Sequence, residues 1–190
     1  MSALTLEAGA APAPPGQYIY ATHRWTFTGL RRESRLVSAA VNLNTGGFFE
    51  PEVTERLVAT AAQLAAEFPN AARRLQLARV VERGEECEAA LLSGYSDAAE
   101  QFRAENEMRC NVQAESARAF HARRASELRA RIERFRQEGK LSLIPPTEGL
   151  LRKLDQELDL KLRKVEVSRQ IEESFVPLAV GYVEVVIERR

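Results

Sequence analysis

Between Ala71 and Glu138 the chain contains no proline and only two glycines, Gly84 and Gly94. A run of that length without a helix breaker reads as helix almost throughout. As one unbroken helix it would reach about 100 Å at 1.5 Å per residue. No other segment can match that span. After Gly94, the residues Tyr95, Ala98, Phe102, Ala117, Phe120, Leu128, Ile132 and Phe135 keep near-helical spacing, with an interruption around Asn106, Arg109 and Gln113.

The helix must have a returning partner. "EGKLSLIPP" supplies a loop, with Gly139 as a C-cap residue and Pro145–Pro146 as a stop. Beyond it, Leu151, Leu154, Leu158, Leu162 and Val165 form a narrow seam of coiled-coil type, so an antiparallel helical hairpin is expected. The returning helix, read as Thr147 to Ser174, would be roughly 40 Å long. It can therefore pair only with about residues 108–138 of the long helix. For the chain to close on its N-terminal part, a fold-back is expected, with "SGYS" at 93–96 as the bend.

The ends of the chain read as strand. From Tyr18 to Thr28 the period is two, with Ile19, Ala21, His23, Trp25 and Phe27 on one face. Leu36–Leu43 alternates again, and "NTGG" at 44–47 stops it. A two-stranded hairpin is marginal in water, so a third strand is required. The C-terminal run "SFVPLAVGYVEVV" supplies one, with Pro177 expected to end the preceding helix. Pro51 opens a first helix whose stripe is Leu57, Ala61, Leu64 and Phe68, stopped by Pro69–Asn70.

The fold expected is α+β: a small antiparallel sheet of two N-terminal strands plus the C-terminal strand, and a long helical arm forming an antiparallel coiled-coil hairpin. Residues 1–16, with Pro12, Pro14, Pro15 and Gly16, read as a disordered Ala/Pro-rich leader. Residues 17–107 and 175–190 would form the base, and 108–174 the projecting hairpin.

Composition narrows the function classes. The 190 residues carry 27 basic and 27 acidic side chains, so bulk charge argues for neither nucleic-acid nor membrane affinity. No apolar run approaches the roughly 20 residues of a membrane span. The start lacks the basic and apolar regions of a secretory signal. Cys87 and Cys110 form no CxxC pair, so reduced thiols and a cytoplasmic location are expected.

No phosphate loop, nucleophile elbow, HExxH or zinc signature is present. His23 reads as a packed sheet residue and His121 as a solvated one. Cys110 lies eleven residues before His121, too far along a helix to share a metal. Acid pairs such as Glu85–Glu86 and Glu172–Glu173 read as solvated faces. No enzyme, cofactor or metal is expected.

Charge distribution is more informative. Residues 82–107 hold eight acids against Arg83 and Arg103. Residues 118–140 hold eight bases against Glu127, Glu133 and Glu138. Arg123, Arg124, Arg129, Arg131, Arg134, Arg136 and Lys140 are thus candidates for contact with phosphates or an acidic protein surface. The competing and favoured reading is neutralisation by Glu148, Asp155, Glu157, Asp159 and Glu166 of the returning helix. Aromatics for base stacking are not expected there, since Phe120 and Phe135 belong to the apolar stripe.

A hairpin ending in "AAVNLNTGG", a helix, a long charged helix, "IPPTEGLLRKLDQEL" and "PLAVGYVEVV" follow in that order. This order, over about residues 18–188, resembles the C-terminal accessory region of bacterial Swi/Snf-type helicase-like ATPases. These include the RNA polymerase-associated ATPase and helicases of phage-defence islands such as DISARM. The chain lacks the ATPase lobes with their phosphate-binding loop and DEAH-type box. The resemblance implies a non-catalytic accessory or regulatory module, either detached from a motor or working beside one. It implies a protein partner, with nucleic acid as an alternative through the basic arm and no membrane. The alternative functions are a self-associating coiled-coil protein and a nucleic-acid-binding module; a monomer is favoured.

Overall fold

The computed structural model of the chain describes residues 2–67 and 75–187. The fold is α+β. Its strands are β1 (Ser2–Glu7), β2 (Gly16–Thr28), β3 (Arg32–Asn42), β4 (Ala66–Glu67) and β5 (Glu172–Val186). Its helices are α1 (Pro51–Leu64), α2 (Leu77–Gln137) and α3 (Ile144–Val167), with a 3-10 turn at Leu141–Leu143. The chain divides into two compact units: 1–27, 33–100 and 173–190 in one, 28–32 and 101–172 in the other.

The first unit is built on a mixed sheet of order β3–β2–β5–β1–β4. The β2–β3 hairpin is antiparallel, as the hydroxyl pairs Thr22–Ser38 at 2.8 Å and Thr26–Ser34 at 3.2 Å require. Asn42 ends β3 by accepting from the amides of Asn44 and Thr45, and Gly46, at φ 72°, completes the turn that the sequence signals. The C-terminal strand lies beside β2, where Gln17 near the start of β2 donates to Glu184 near the end of β5.

Two expectations fail here. The Ala/Pro-rich leader is not a disordered tail: residues 2–7 form β1, and Leu6 and Ala13 are buried. The short alternation of Leu4 and Leu6 with Thr5 and Glu7 outweighs the leader's composition, and the prolines fall in the connection to β2. Nor is the sheet purely antiparallel. β1 runs parallel to β5 in a register from Ser2 opposite Gly181 to Glu7 opposite Val186, while β4 pairs antiparallel with β1.

From Tyr18 to His23 both faces of β2 are buried, because each is covered by a helix. Tyr18 and Tyr20 join Leu57 and Ala61 of α1, with Leu6, Val183 and Val185, in one core cluster. On the other face, Cys87 of α2 reaches the carbonyl of Ile19, and the rings of Trp25 and Phe27 lie against Tyr95. α1 ends at Leu64, which is exposed, and the chain turns into β4; Phe68, Pro69 and Asn70 lie outside the described residues.

No bend occurs at "SGYS": α2 continues through Gly94. A glycine inside a helix costs only about 1 kcal/mol against alanine. Here its missing side chain leaves room for the Trp25 ring, 3.3 Å from where a Cβ would stand.

The helix expected to run to Ser174 stops at Val167, and Pro177 lies inside β5. Pro177 precedes the part of β5 registered against β1, so its missing N–H withdraws nothing from that ladder. The stop at Val167 has a different origin, which lies in the second unit.

Candidate functional site

The second unit is organised by contacts of α2 with α3 and with the 28–32 loop. Cys110 and Ala114 pack on Val165, with Leu30 and Leu162 against them. Farther along, His121 Nε2 stands 2.7 Å from Asp155 Oδ1. Residues later in α2 thus meet residues earlier in α3. The Leu154, Leu158, Leu162 and Val165 seam is the face that meets α2, half-buried except for the fully buried Val165.

Asn106 accounts for the interruption in the apolar stripe. It is buried, and its Oδ1 accepts from the Leu30 amide at 2.8 Å while its Nδ2 donates to the Ser168 carbonyl at 2.8 Å. One amide therefore caps the end of α3 and fixes the hairpin tip. Gly29 permits this, since a Cβ there would collide with the Asn106 amide. Arg169 adds bonds to Glu107, Asn111 and Glu166, which hold its guanidinium charged. The helix stop is made by Asn106 from α2 together with the local bonds of Ser168 and Arg169, with no glycine or proline breaker.

The distal connection is also built locally. Gly139 takes φ 70°, and Thr147 Oγ1 donates to the Leu143 carbonyl at 2.8 Å. Lys140 pairs with Glu138 at 2.8 Å and lowers its carboxyl pKa.

All seven candidate contact residues are exposed: Arg123, Arg124, Arg129, Arg131, Arg134 and Arg136 on α2, and Lys140 just beyond it. Among the described residues none of the seven makes an ion pair with an acid of α3. Arg124 pairs with Glu127 and Arg136 with Glu133, both on α2 itself. On the facing side Asp155 is engaged by His121, Glu157 by Lys153 and Glu166 by Arg169. Among the described residues Arg129 and Arg131 make no ion pair. Such i,i+3 pairs leave a guanidinium largely available to an incoming anion, because exposed pairs are weak.

Two further expectations need correction. His121 is not a freely solvated residue, since it is held by Asp155. Phe120 does not complete the buried stripe: it is 57% exposed, with the Arg123 guanidinium 5.9 Å from its ring centre.

In the first unit, His23 is fully buried, with Nε2 2.8 Å from Glu88 Oε2 and its ring 4.3 Å from that of Phe175. This is a packed sheet residue that ties β2 to α2 and β5. Both cysteines are free and buried. Burial pushes the Cys87 thiol up to about 12, and raises that of Cys110 as well. Neither is poised as a nucleophile.

Among the described residues no group of three His, Cys, Asp or Glu side chains could hold a metal ion, and no helix is long and apolar enough to cross a membrane. No protein-family model, curated protein or solved structure matches the chain.

Proposed function

We propose that this chain is a non-catalytic accessory module of a Swi/Snf-type helicase system, phage-defence helicases included, acting in the cytoplasm through protein contacts. In this reading α2 and α3 pair as an antiparallel coiled coil, and the basic end of the pair engages the motor or its nucleoprotein target. The reading rests on the order of elements that resembles the accessory region of those ATPases. The observation that carries it is the row of exposed bases from Arg123 to Lys140, which make no ion pair with α3 among the described residues. Buried thiols that stay protonated at neutral pH offer no ready nucleophile, which favours a binding role.

The test is a titration of the purified chain into a Swi/Snf-type ATPase from the same cell. A one-to-one complex with an altered rate of ATP hydrolysis is expected, and no hydrolysis by the chain alone. Absence of any complex ends the proposal.

One observation favours a second reading, in which the arm touches nucleic acid directly. Arg129 and Arg131 have no ion-pair partner among the described residues. Binding to a duplex of ~20 base pairs should then weaken steeply with salt, because each phosphate neutralised releases counterions. A shift that survives charge reversal at Arg129, Arg131 and Arg136 rules this reading out.

A further inference from the structure

Met108, Val112, Ser116 and Phe120 recur at intervals of four along α2 and lie on one side of it. Three of them are large, apolar and open to solvent: Met108 is 61% exposed, Val112 62% and Phe120 57%. They are not scattered singly. Met108 and Val112 line a furrow with Leu30, and Phe120 lines the next furrow with Leu154 and Leu158. Lys161 borders both, so the two furrows adjoin along the second unit.

The charges around the first furrow are all of one sign. Arg31, Arg109 and Lys161 line it, and no acid does. Arg109 is paired with Glu105 on its own helix, while Lys161 and Arg31 make no ion pair among the described residues. An exposed apolar strip rimmed by polar groups marks a binding surface. From Met108 to Phe120 the strip runs about 18 Å, or about three turns of helix.

We infer that this strip is a docking groove for an acidic amphipathic helix of a partner protein, its apolar face on Met108, Val112 and Phe120 and its carboxylates against Arg31, Arg109 and Lys161. The cationic rim selects an acidic occupant by charge complementarity. Met108 and Val112 are aliphatic and Phe120 is the single aromatic, so the floor suits the apolar anchors of a helix at i, i+4 and i+7 better than a nucleic acid, which would need successive stacking platforms. At the first furrow, where all the lining charges are positive, a second copy of this chain would set like charges against each other; Glu157 is the one acid, and it lines the second furrow. The inference deepens the accessory reading, because it names the chemistry of the partner and a contact surface separate from the Arg123–Lys140 row.

The test uses a fluorescent synthetic peptide of about sixteen residues with leucines along one helical face and glutamates beside them. Controls are the same peptide with lysine at every glutamate, a scrambled sequence, and a ~20 base-pair duplex. At ~150 mM salt the acidic peptide should bind about ten-fold or more tighter than the lysine peptide. Val112→Glu and Lys161→Glu should each weaken it about ten-fold. Both sites are exposed, so circular dichroism melts should stay unchanged. Equal binding of the three peptides, or binding indifferent to both substitutions, overturns the inference. So does tighter binding of the duplex lost on Val112→Glu, or a dimer in light scattering that Val112→Glu dissociates. A Swi/Snf-type ATPase that binds the Val112→Glu chain normally removes the groove and leaves the accessory role. Peptide binding with no ATPase complex does the reverse.

Discussion

The amide of Asn106 donates to the carbonyl of Ser168 at 2.8 Å, across 62 residues of sequence. The same side chain accepts from the Leu30 amide, so three segments of the second unit meet on one buried group. A buried amide whose bonds are all made specifies a single arrangement, and an incomplete one is costly.

Asn106→Ala should therefore strand the Leu30 N–H and the Ser168 carbonyl together. A loss of about 2–4 kcal/mol in the stability of the second unit is expected. Hydrogen exchange should report it first at Leu30 and around Arg169, with α1 and its core unaffected. Unchanged protection at both places would show that Asn106 is not the clip described.

Gly181 gives a second, independent prediction. It is buried in β5, and a Cβ at that position would run into the ring of Tyr20 on the neighbouring strand. Glycine inside a strand marks such a close approach. Gly181→Ala should cost about 1–3 kcal/mol by overpacking, and a smaller residue at Tyr20 should recover part of that loss. A Gly181→Ala chain as stable as the parent would contradict the packing.

The position of β5 makes a third. It lies between β2 and β1, so its removal leaves the β2–β3 and β1–β4 pairs with no strand to join them. Neither pair is stable alone in water. Deleting residues 172–190 should abolish the cooperative melting of the first unit, and it should expose Leu57 and Tyr18 to solvent. A truncated chain that kept its transition would refute the role of β5 as the closing strand.

Stability should also fall at alkaline pH. Cys87 is buried under the Ile19 carbonyl, and burial first, then Glu86 and Glu88, raise its pKa from 9.0 to about 12. Below pH 9 the thiol is protonated in both states and the contribution is complete. Between pH 9 and about 12 the unfolded chain releases the proton and the native chain keeps it. The slope of stability is then negative, at most about 1.4 kcal/mol per pH unit. Cys87→Ala should make the decline above pH 9 shallower, leaving the share of Cys110, also raised from 9.0, and above about pH 10 that of Tyr18 and Tyr182, both raised from 10.0 by burial. Native Cys87 should resist iodoacetamide at pH 8, and rapid labelling there would contradict its burial.

Much of this architecture is legible from periodicity. The alternation in Tyr18–Thr28 and the turn chemistry of Asn44–Gly47 locate the hairpin, and the leucine seam of α3 identifies the face that meets α2. What the sequence conceals is set by tertiary contact. β1 hides in an Ala/Pro-rich stretch, because its partner is at the far end of the chain. The stop of α3 carries no glycine or proline, because Asn106 caps it from α2 and Arg169, just past its end, ties it back to Glu107 and Asn111. Gly94 looks like a bend and is instead a space for Trp25.

The candidate surface is legible in part. The basic run shows in the sequence, but its lack of ion pairs with α3 among the described residues does not, since pairing along α2 depends on rotamers. The four-residue spacing of Met108, Val112, Ser116 and Phe120 is a readable signal. It is obscured because Phe120 also fits the spacing of the buried stripe.

The proposed accessory role is tested most directly by the affinity of the chain for a Swi/Snf-type ATPase, measured by calorimetry before and after Arg129→Glu, Arg131→Glu and Arg136→Glu together. These positions are exposed, so the variant should keep its helix content and its melting curve. The account predicts a one-to-one complex whose affinity falls about ten-fold or more on reversal and whose binding weakens with salt. An ATPase that forms no complex with the parent chain, or binds the reversed chain equally well, would contradict it.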